Sequence, residues 1–207
     1  MRIVNCIQGS EDWESLRRGK PTASRFKDIL TPAKLELSTS AKTYAIELAA
    51  ERLGIQSEPA LPSFEMMRGT EMEPDAVIDY ERRKGVECQQ VGFVYPDETT
   101  DWGCSPDRLL PGNRILEVKC PKIETLIDYH LNGFPKIYRL QVQGQLWITG
   151  AGSCDFYAYH PDIEPFEETI YPEPKVFKAL DNVMPQFVAL VEKIQSQIQT
   201  REAVFNG

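Results

Sequence analysis

Along this chain, apolar residues recur at spacings of three and four over several stretches and alternate with polar ones over others. The helical spacing predicts helices at residues 8–18, 38–53, 63–84, 123–131, 136–149 and 175–198. In the first, Ser10 is placed as the N-cap, with Trp13 and Leu16 facing inward. Ser38 or Thr39 opens the second, in which Tyr44, Leu48 and Leu53 are apolar and Gly54 closes the last turn. A polar, proline-bearing link follows at 56–62. The long third helix ends at Gly85; Met66, Met67, Ala76, Val77 and Tyr80 are assigned mostly to the core, and Pro74 predicts a kink or break. The last helix carries Phe177, Leu180, Val183, Phe187, Val191 and Ile194 on one stripe that would cover the core. Alternation predicts strands at 91–95, 154–160 and 165–171, with a sheet-edge position open for the last two.

The most informative stretch lies between these, from Trp102 to Cys120. Residues 105–110 run into Pro111-Gly112-Asn113, a strong turn cluster, and 114–120 continue with alternating apolar positions, so the stretch reads as a hairpin. Strand alternation puts Ile115, Glu117 and Lys119 on one face and Leu116, Val118 and Cys120 on the other. Asp107 falls on the partner strand, within reach of Glu117 and Lys119 across a tight hairpin.

Two carboxylates and a lysine at a strand pair suit a hard divalent cation. Mg2+ prefers oxygen ligands, keeps several waters and needs only one or two protein carboxylates. Such an ion stabilises charge on a phosphate and activates a bound water, which a neighbouring lysine can orient. A Glu-x-Lys pair alone is more often an exposed ion pair. What favours the site is Asp107 after Ser105-Pro106, the apolar strand around the pair, and Cys120-Pro121 closing it.

Composition narrows the picture further. The 207 residues fit one globular domain, 1–207, with a sizeable core. No apolar run reaches membrane-spanning length, and Met1-Arg2-Ile3-Val4 does not begin a signal peptide, so a cytoplasmic protein without a membrane partner is expected. Cys6, Cys88, Cys104, Cys120 and Cys154 are scattered, without a CxxC pair, which favours reduced thiols over a disulfide framework, a zinc site or an iron–sulfur cluster. The net charge of −8 argues against indiscriminate coating of a polyanion, yet leaves room for a local basic channel. Two basic clusters exist. Arg17, Arg18, Lys20, Arg25 and Lys27 form one; Arg82, Arg83 and Lys84 form the other and read as a solvated helix face. His130 and His160 match no catalytic spacing.

Pro106-Asp107, then nine residues, then Glu117-Val118-Lys119 matches the PD-(D/E)XK nuclease signature. A wider set of motifs stands around it. Trp13, Leu16-Arg17-Arg18-Gly19 and Thr22-Ala23-Ser24 come first, then Gly69 to Glu73, then Ser105-Pro106-Asp107, then Leu116 to Pro121, and last Gln141-Val142-Gln143. In this order they resemble the lambda-exonuclease-like, YqaJ-type viral recombinase family. The resemblance implies an α/β fold: a restriction-endonuclease-like core with a mixed central β-sheet flanked by α-helices. It also implies a Mg2+-dependent exonuclease, with Mn2+ a possible substitute. Such an enzyme degrades one strand of linear double-stranded DNA 5′→3′ from a 5′-phosphorylated end, releases mononucleotides and leaves a 3′ overhang.

Carried over residue by residue, Asp107, Glu117 and the backbone carbonyl of Val118 hold the metal. Lys119 positions or activates the water, and Gln141 meets the scissile phosphate or that water. Glu73 faces the metal directly or through water, with Glu71 the alternative in a shifted register. Arg17, Ser24 and Ser105 hold the 5′-phosphate. Further implications are a homotrimeric ring, a single-strand annealing partner and a phage or prophage origin in a bacterial cell. Arg108 departs from the glycine that often follows the SPD motif. Two other readings stand beside this one: a structure- or sequence-specific endonuclease on the same fold, and a non-catalytic protein that binds DNA ends.

Overall fold

In the computed structural model, which describes residues 1–55, 63–97 and 99–205, helices alternate with short strands. The order is β1 (Arg2–Val4), α1 (Glu11–Arg17), α2 (Phe26–Ile29), α3 (Ala41–Arg52), α4 (Phe64–Lys84), β2 (Phe93–Tyr95), β3 (Arg108–Leu110) and β4 (Arg114–Lys119). Then come α5 (Ile123–Asn132), α6 (Arg139–Thr149), β5 (Ser153–His160), β6 (Ile163–Ile170) and α7 (Pro174–Phe205). Single 3-10 turns, Ala23–Arg25 and Lys136–Tyr138, lead into α2 and α6. No described helix is long and apolar enough to cross a membrane.

The central sheet has the order β3-β4-β5-β6. The β3–β4 pair is antiparallel, β4–β5 parallel and β5–β6 antiparallel, so the sheet is mixed. The parallel step needs a long crossover, which α5 and α6 supply. Turn chemistry closes the β3–β4 hairpin: Gly112 and Asn113 both take positive φ, the backbone region that glycine and asparagine adopt most readily.

Alternation on β4 divides the core into layers. Ile115 faces α5 and α6 with Leu126, Tyr129, Val142, Leu146 and Phe156. Leu116 and Val118 face α4 with Ala76, Val77, Tyr80 and Tyr157. A third cluster joins α2, α3, α6 and α7 through Phe26, Ile29, Tyr44, Leu48, Leu180 and Phe187. Helices therefore cover both faces, the α/β arrangement expected from the family resemblance. Two buried carboxylates lock the α4 layer. Asp155 accepts Tyr80 Oη at 2.6 Å, Arg114 Nη1 at 2.9 Å and Thr169 Oγ1 at 2.9 Å, and Asp79 accepts Tyr157 Oη at 2.6 Å. Satisfying each with several donors is what makes their burial tolerable.

Several sequence expectations change. Pro74 does not break α4, which runs unbroken from Phe64 to Lys84; proline removes one helical N–H, and the packing of Ala76, Val77 and Tyr80 on the sheet outweighs that loss. Met67 is 48 % exposed rather than in the core, and the side chain of Met66 lies outside the described residues. Strand β5 is interior, with Phe156 and Tyr157 buried on opposite faces; of these two strands β6 alone lies at an edge, opposite the β3 edge. Helices α3 and α6 start later than expected, at Ala41 and Arg139, and α7 runs on to Phe205. The link 56–62 lies outside the described residues.

Candidate functional site

The hairpin register pairs Arg108 with Leu116 and Leu109 with Ile115. Continuing it one step sets Asp107 opposite Glu117, and Asp107 Oδ2 accepts the Val118 N–H at 2.6 Å. Asp107, Val118 and Lys119 line a cleft of about 490 Å³, together with Arg68, Glu73, Lys122 and Tyr138. Its walls come from α4, from the end of β4 and from the turn ahead of α6. Gln8 steadies the approach to Asp107, donating through Nε2 to the carbonyls of Val91 (2.9 Å) and Pro106 (3.0 Å).

Glu117 lies beneath the cleft floor, 1 % exposed. Its Oε1 accepts Lys119 Nζ and Gln141 Nε2 (2.5 Å), and its Oε2 accepts Gln145 Nε2 at 2.6 Å. Gln141 and Gln145 are one helical turn apart on α6, so one face of that helix presents both amides to one carboxylate. Gln141 was expected at a phosphate or a water; here it orders Glu117. Gln145 is not among the residues the motifs single out; its spacing of four from Gln141, which puts both amides on one helix face, is the signal in the sequence that points to it. Its Oε1 is buried without a hydrogen-bond partner.

The electrostatics follow from this crowding. Burial and the adjacent Glu117 carboxylate push Asp107 well above the ordinary carboxylate range. Burial opposes the charge of Lys119, but Glu117 and Asp107 overcome it and hold the ammonium well above the usual lysine value. Tyr138 adds its ring face, 5.2 Å from Lys119 Nζ. Cys120, beside the cleft, is pushed up to about 11 by burial and by Glu73 and Asp107, so it stays a thiol.

Does this donor set fit a divalent ion? Among the described residues no three His, Cys, Asp or Glu side chains converge as a metal cage. Mg2+ does not need one, since it binds through one or two carboxylates and keeps waters. Asp107 and Glu117 face each other across the hairpin; burial and the repulsion between them raise Asp107, and that repulsion is what a cation at their junction would relieve. Three donors on Glu117 still leave one of a carboxylate's roughly four acceptor sites open. The set fits, with Asp107, Glu117 and the Val118 carbonyl as the candidate holders. Glu73 reaches the cleft from α4 and is paired with Arg108, Nη1 to Oε1 2.9 Å. Glu71 is exposed and does not line the cleft.

The residues expected at a terminal phosphate are only partly gathered. Arg17 lines a second groove with Arg18, Lys20, Thr22, Arg25 and Tyr44, and burial lowers its pKa from the ordinary arginine value. Its guanidinium lies 3.8 Å from the Trp13 ring centre, and Trp13 Nε1 donates to Ser105 Oγ at 2.8 Å. Trp13 thus links Arg17 to Ser105, two residues from Asp107. Ser105 and Ser24 do not line the groove; Ser24 is exposed, with its hydroxyl 3.2 Å from that of Thr22. Arg25 is held by Asp28 and Glu47. The other basic cluster is a solvated face as expected, with Arg82 and Arg83 on Asp79, Arg83 also on Glu164, and Lys84 on Glu167. His130 and His160 lie away from the cleft, bonded to Glu164 O and the Asp162 N–H.

A family model described as the YqaJ-like viral recombinase domain matches residues 12–152. The chain is similar to the crystal structure of an alkaline exonuclease, LHK-Exo, from Laribacter hongkongensis. It is 30 % identical over 95 % of this chain and 100 % of that one, with a TM-score of 0.85. A structure of LHK-Exo in complex with dAMP matches at 29 % identity and a TM-score of 0.79, covering 96 % and 100 % of the two chains. A phage related exonuclease from Haemophilus somnus 129PT shares the fold, with 16 % identity, coverage of 88 % and 96 %, and a TM-score of 0.66. Among curated proteins none matches.

Proposed function

Because this chain belongs to the YqaJ-like viral recombinase domain family, we propose that it is a Mg2+-dependent exonuclease acting on linear double-stranded DNA. It degrades one strand 5′→3′ from a 5′-phosphorylated end, releases mononucleotides and leaves a 3′ overhang for recombination by single-strand annealing. The observation that carries this reading is the hairpin, which sets Asp107 against Glu117 and opens Lys119 onto the same cleft. Similarity to an alkaline exonuclease seen in complex with dAMP supports the chemistry and the mononucleotide product.

A bound Mg2+, or Mn2+ in its place, supplies charge neutralisation for the phosphate and a water of lowered pKa. Asp107, Glu117 and the Val118 carbonyl would hold it, while Gln141 and Gln145 fix the orientation of Glu117. Lys119, kept as an ammonium by its carboxylate neighbours, donates to Glu117 and stands ready to orient the attacking water at the scissile phosphate. No covalent intermediate is required. Arg17 and Ser105, coupled through Trp13, receive the terminal phosphate together with Ser24, whose hydroxyl meets that of Thr22.

The assembly we propose is a homotrimeric ring that works beside a single-strand annealing protein in the bacterial cytoplasm. Family membership supports it.

Substitution of Lys119 by alanine tests the enzymatic reading. Cleavage of duplex DNA is expected to fall at least a hundredfold while binding to DNA ends is retained. Unchanged cleavage would remove Lys119 from the chemistry, and a wild type that binds ends without cutting in Mg2+ or Mn2+ would make the protein an end-binding factor.

A further inference from the structure

Arg17 ends α1, and the tight turn that follows it is held from both sides by other parts of the molecule. Ahead of Arg17, the Leu16 carbonyl accepts Lys20 Nζ at 2.9 Å and Tyr95 Oη at 3.3 Å. Beyond it, the backbone of Gly19 meets the last turn of α3. The Gly19 N–H donates to Glu51 Oε2 at 2.7 Å, and the Gly19 carbonyl accepts Arg52 Nε at 2.7 Å. A carboxylate takes the donor of this residue and a guanidinium its acceptor, so both contacts are charge-assisted and stronger than ordinary hydrogen bonds.

The grip requires glycine at position 19. Its φ of +69° lies in the left-handed region, and a Cβ there would stand 2.5 Å from Arg52 Cγ. The turn itself is already closed by its own backbone, with Arg18 N–H on Glu14 O and Lys20 N–H on Arg17 O, each at 3.0 Å. What Glu51 and Arg52 add is the placement of that turn against α3, whose Tyr44 and Leu48 line the same groove of about 450 Å³ as Arg17. Glu51 lines this groove as well. Beside a phosphate a carboxylate is unfavourable on charge alone. Glu51 stands there nonetheless, with one oxygen committed to the Gly19 N–H, which points to a holding role.

We propose that Glu51 and Arg52 are positioning residues that clamp Gly19 and thereby set the Arg17 guanidinium for a terminal phosphate, so that the end of α3 governs the preference for 5′-phosphorylated DNA ends. This inference rests on the phosphate reading of Arg17 given above.

The test compares the affinity of the full chain for a 5′-phosphorylated duplex and for the same duplex with 5′-hydroxyl, by fluorescence anisotropy in EDTA, where no metal-dependent cleavage occurs. Wild type is expected to prefer the phosphorylated end by about tenfold, the worth of one charge-assisted contact. Glu51→Ala and Arg52→Ala should each cut that preference to about twofold or less. Glu51→Gln, whose amide oxygen can accept the same N–H, should keep the wild-type preference. Thermal unfolding checks that each variant is folded, and either alanine variant carries the test should the other not fold. A preference retained in a folded alanine variant, including one with equal losses on both ends, would overturn the inference and leave the phosphate reading intact. So would Glu51→Gln matching Glu51→Ala in either direction, since the charge beside Arg17 and not the clamp would then be at work. A wild type that binds both ends equally would overturn the phosphate reading, and the inference with it.

Discussion

The Asp107 carboxylate accepts the Val118 N–H at 2.6 Å, so an acid on one strand of the hairpin is aimed by a peptide of the other. This single contact makes the hairpin a rigid frame for charge. It also means that the cleft is built under electrostatic tension, since Asp107 is buried beside Glu117.

Burial and Glu117 raise Asp107 above its ordinary value, so the folded protein holds this proton to higher pH than the unfolded chain does. The associated stability is full below the unfolded carboxylate pKa and is lost as pH rises through the raised folded value. Mg2+ needs the ionised form and should reverse the loss. The rise in Tm on adding Mg2+ should therefore grow from about pH 5 to about pH 8. Asp107→Asn in EDTA should be more stable than wild type at the upper end, because it keeps an acceptor for the Val118 N–H without the buried charge. It should not respond to Mg2+. A Mg2+ effect that shrinks with rising pH would contradict this.

Gln145 is buried and serves Glu117 alone through its amide nitrogen. Gln145→Leu keeps much of the volume and removes the donor. Metal affinity should fall about 10–100-fold, the usual effect of losing an outer partner of a metal ligand. Stability in EDTA should drop by about 1–3 kcal/mol. Calorimetric binding of Mg2+ together with urea unfolding gives both numbers; unchanged metal affinity would mean that Glu117 does not depend on its amide clamp.

Trp13 links Arg17 to Ser105, two residues before Asp107. Trp13→Phe retains an aromatic face for Arg17 and deletes the N–H to Ser105. The preference for 5′-phosphorylated over 5′-hydroxyl ends should narrow, as it should in Arg17→Ala and Ser105→Ala, with the rate on 5′-hydroxyl ends changed less. A uniform loss on both substrates would assign Trp13 to folding alone.

Away from the cleft, Asp155 is buried beneath three donors. Removing the carboxylate strands Arg114 and Tyr80, so Asp155→Ala should cost about 3–5 kcal/mol of stability, the range for breaking one side of a buried pair. Denaturant unfolding measures it, and a cost below about 1 kcal/mol would show that the surrounding residues repair the network.

The hairpin was legible in the sequence because two local signals agreed there. Pro111-Gly112-Asn113 marks the turn, and strict alternation places Glu117 and Lys119 together. The long helices were legible for a similar reason, since Gly54 and Gly85 both end them in the positive-φ conformation. What was not legible depends on tertiary contact. β1 is three residues long and exists because it pairs with β2, so no alternation announces it. Pro74 argues for a break by local rules, and packing on the sheet overrides them. The interior place of β5 comes from the crossover through α5 and α6 rather than from its own pattern. Within the site, Asp107, Glu117 and Lys119 could be read from spacing, whereas the Arg108–Glu73 and Gln145–Glu117 contacts span 35 and 28 residues and needed the fold.

Digestion of three matched DNAs in Mg2+ tests the exonuclease activity most directly: linear duplex with 5′-phosphate, the same duplex with 5′-hydroxyl, and closed circular duplex. Mononucleotides released fastest from the phosphorylated linear duplex, with the circle left intact, are the predicted result. A nicked or cut circle would contradict it and make the protein an endonuclease on this fold.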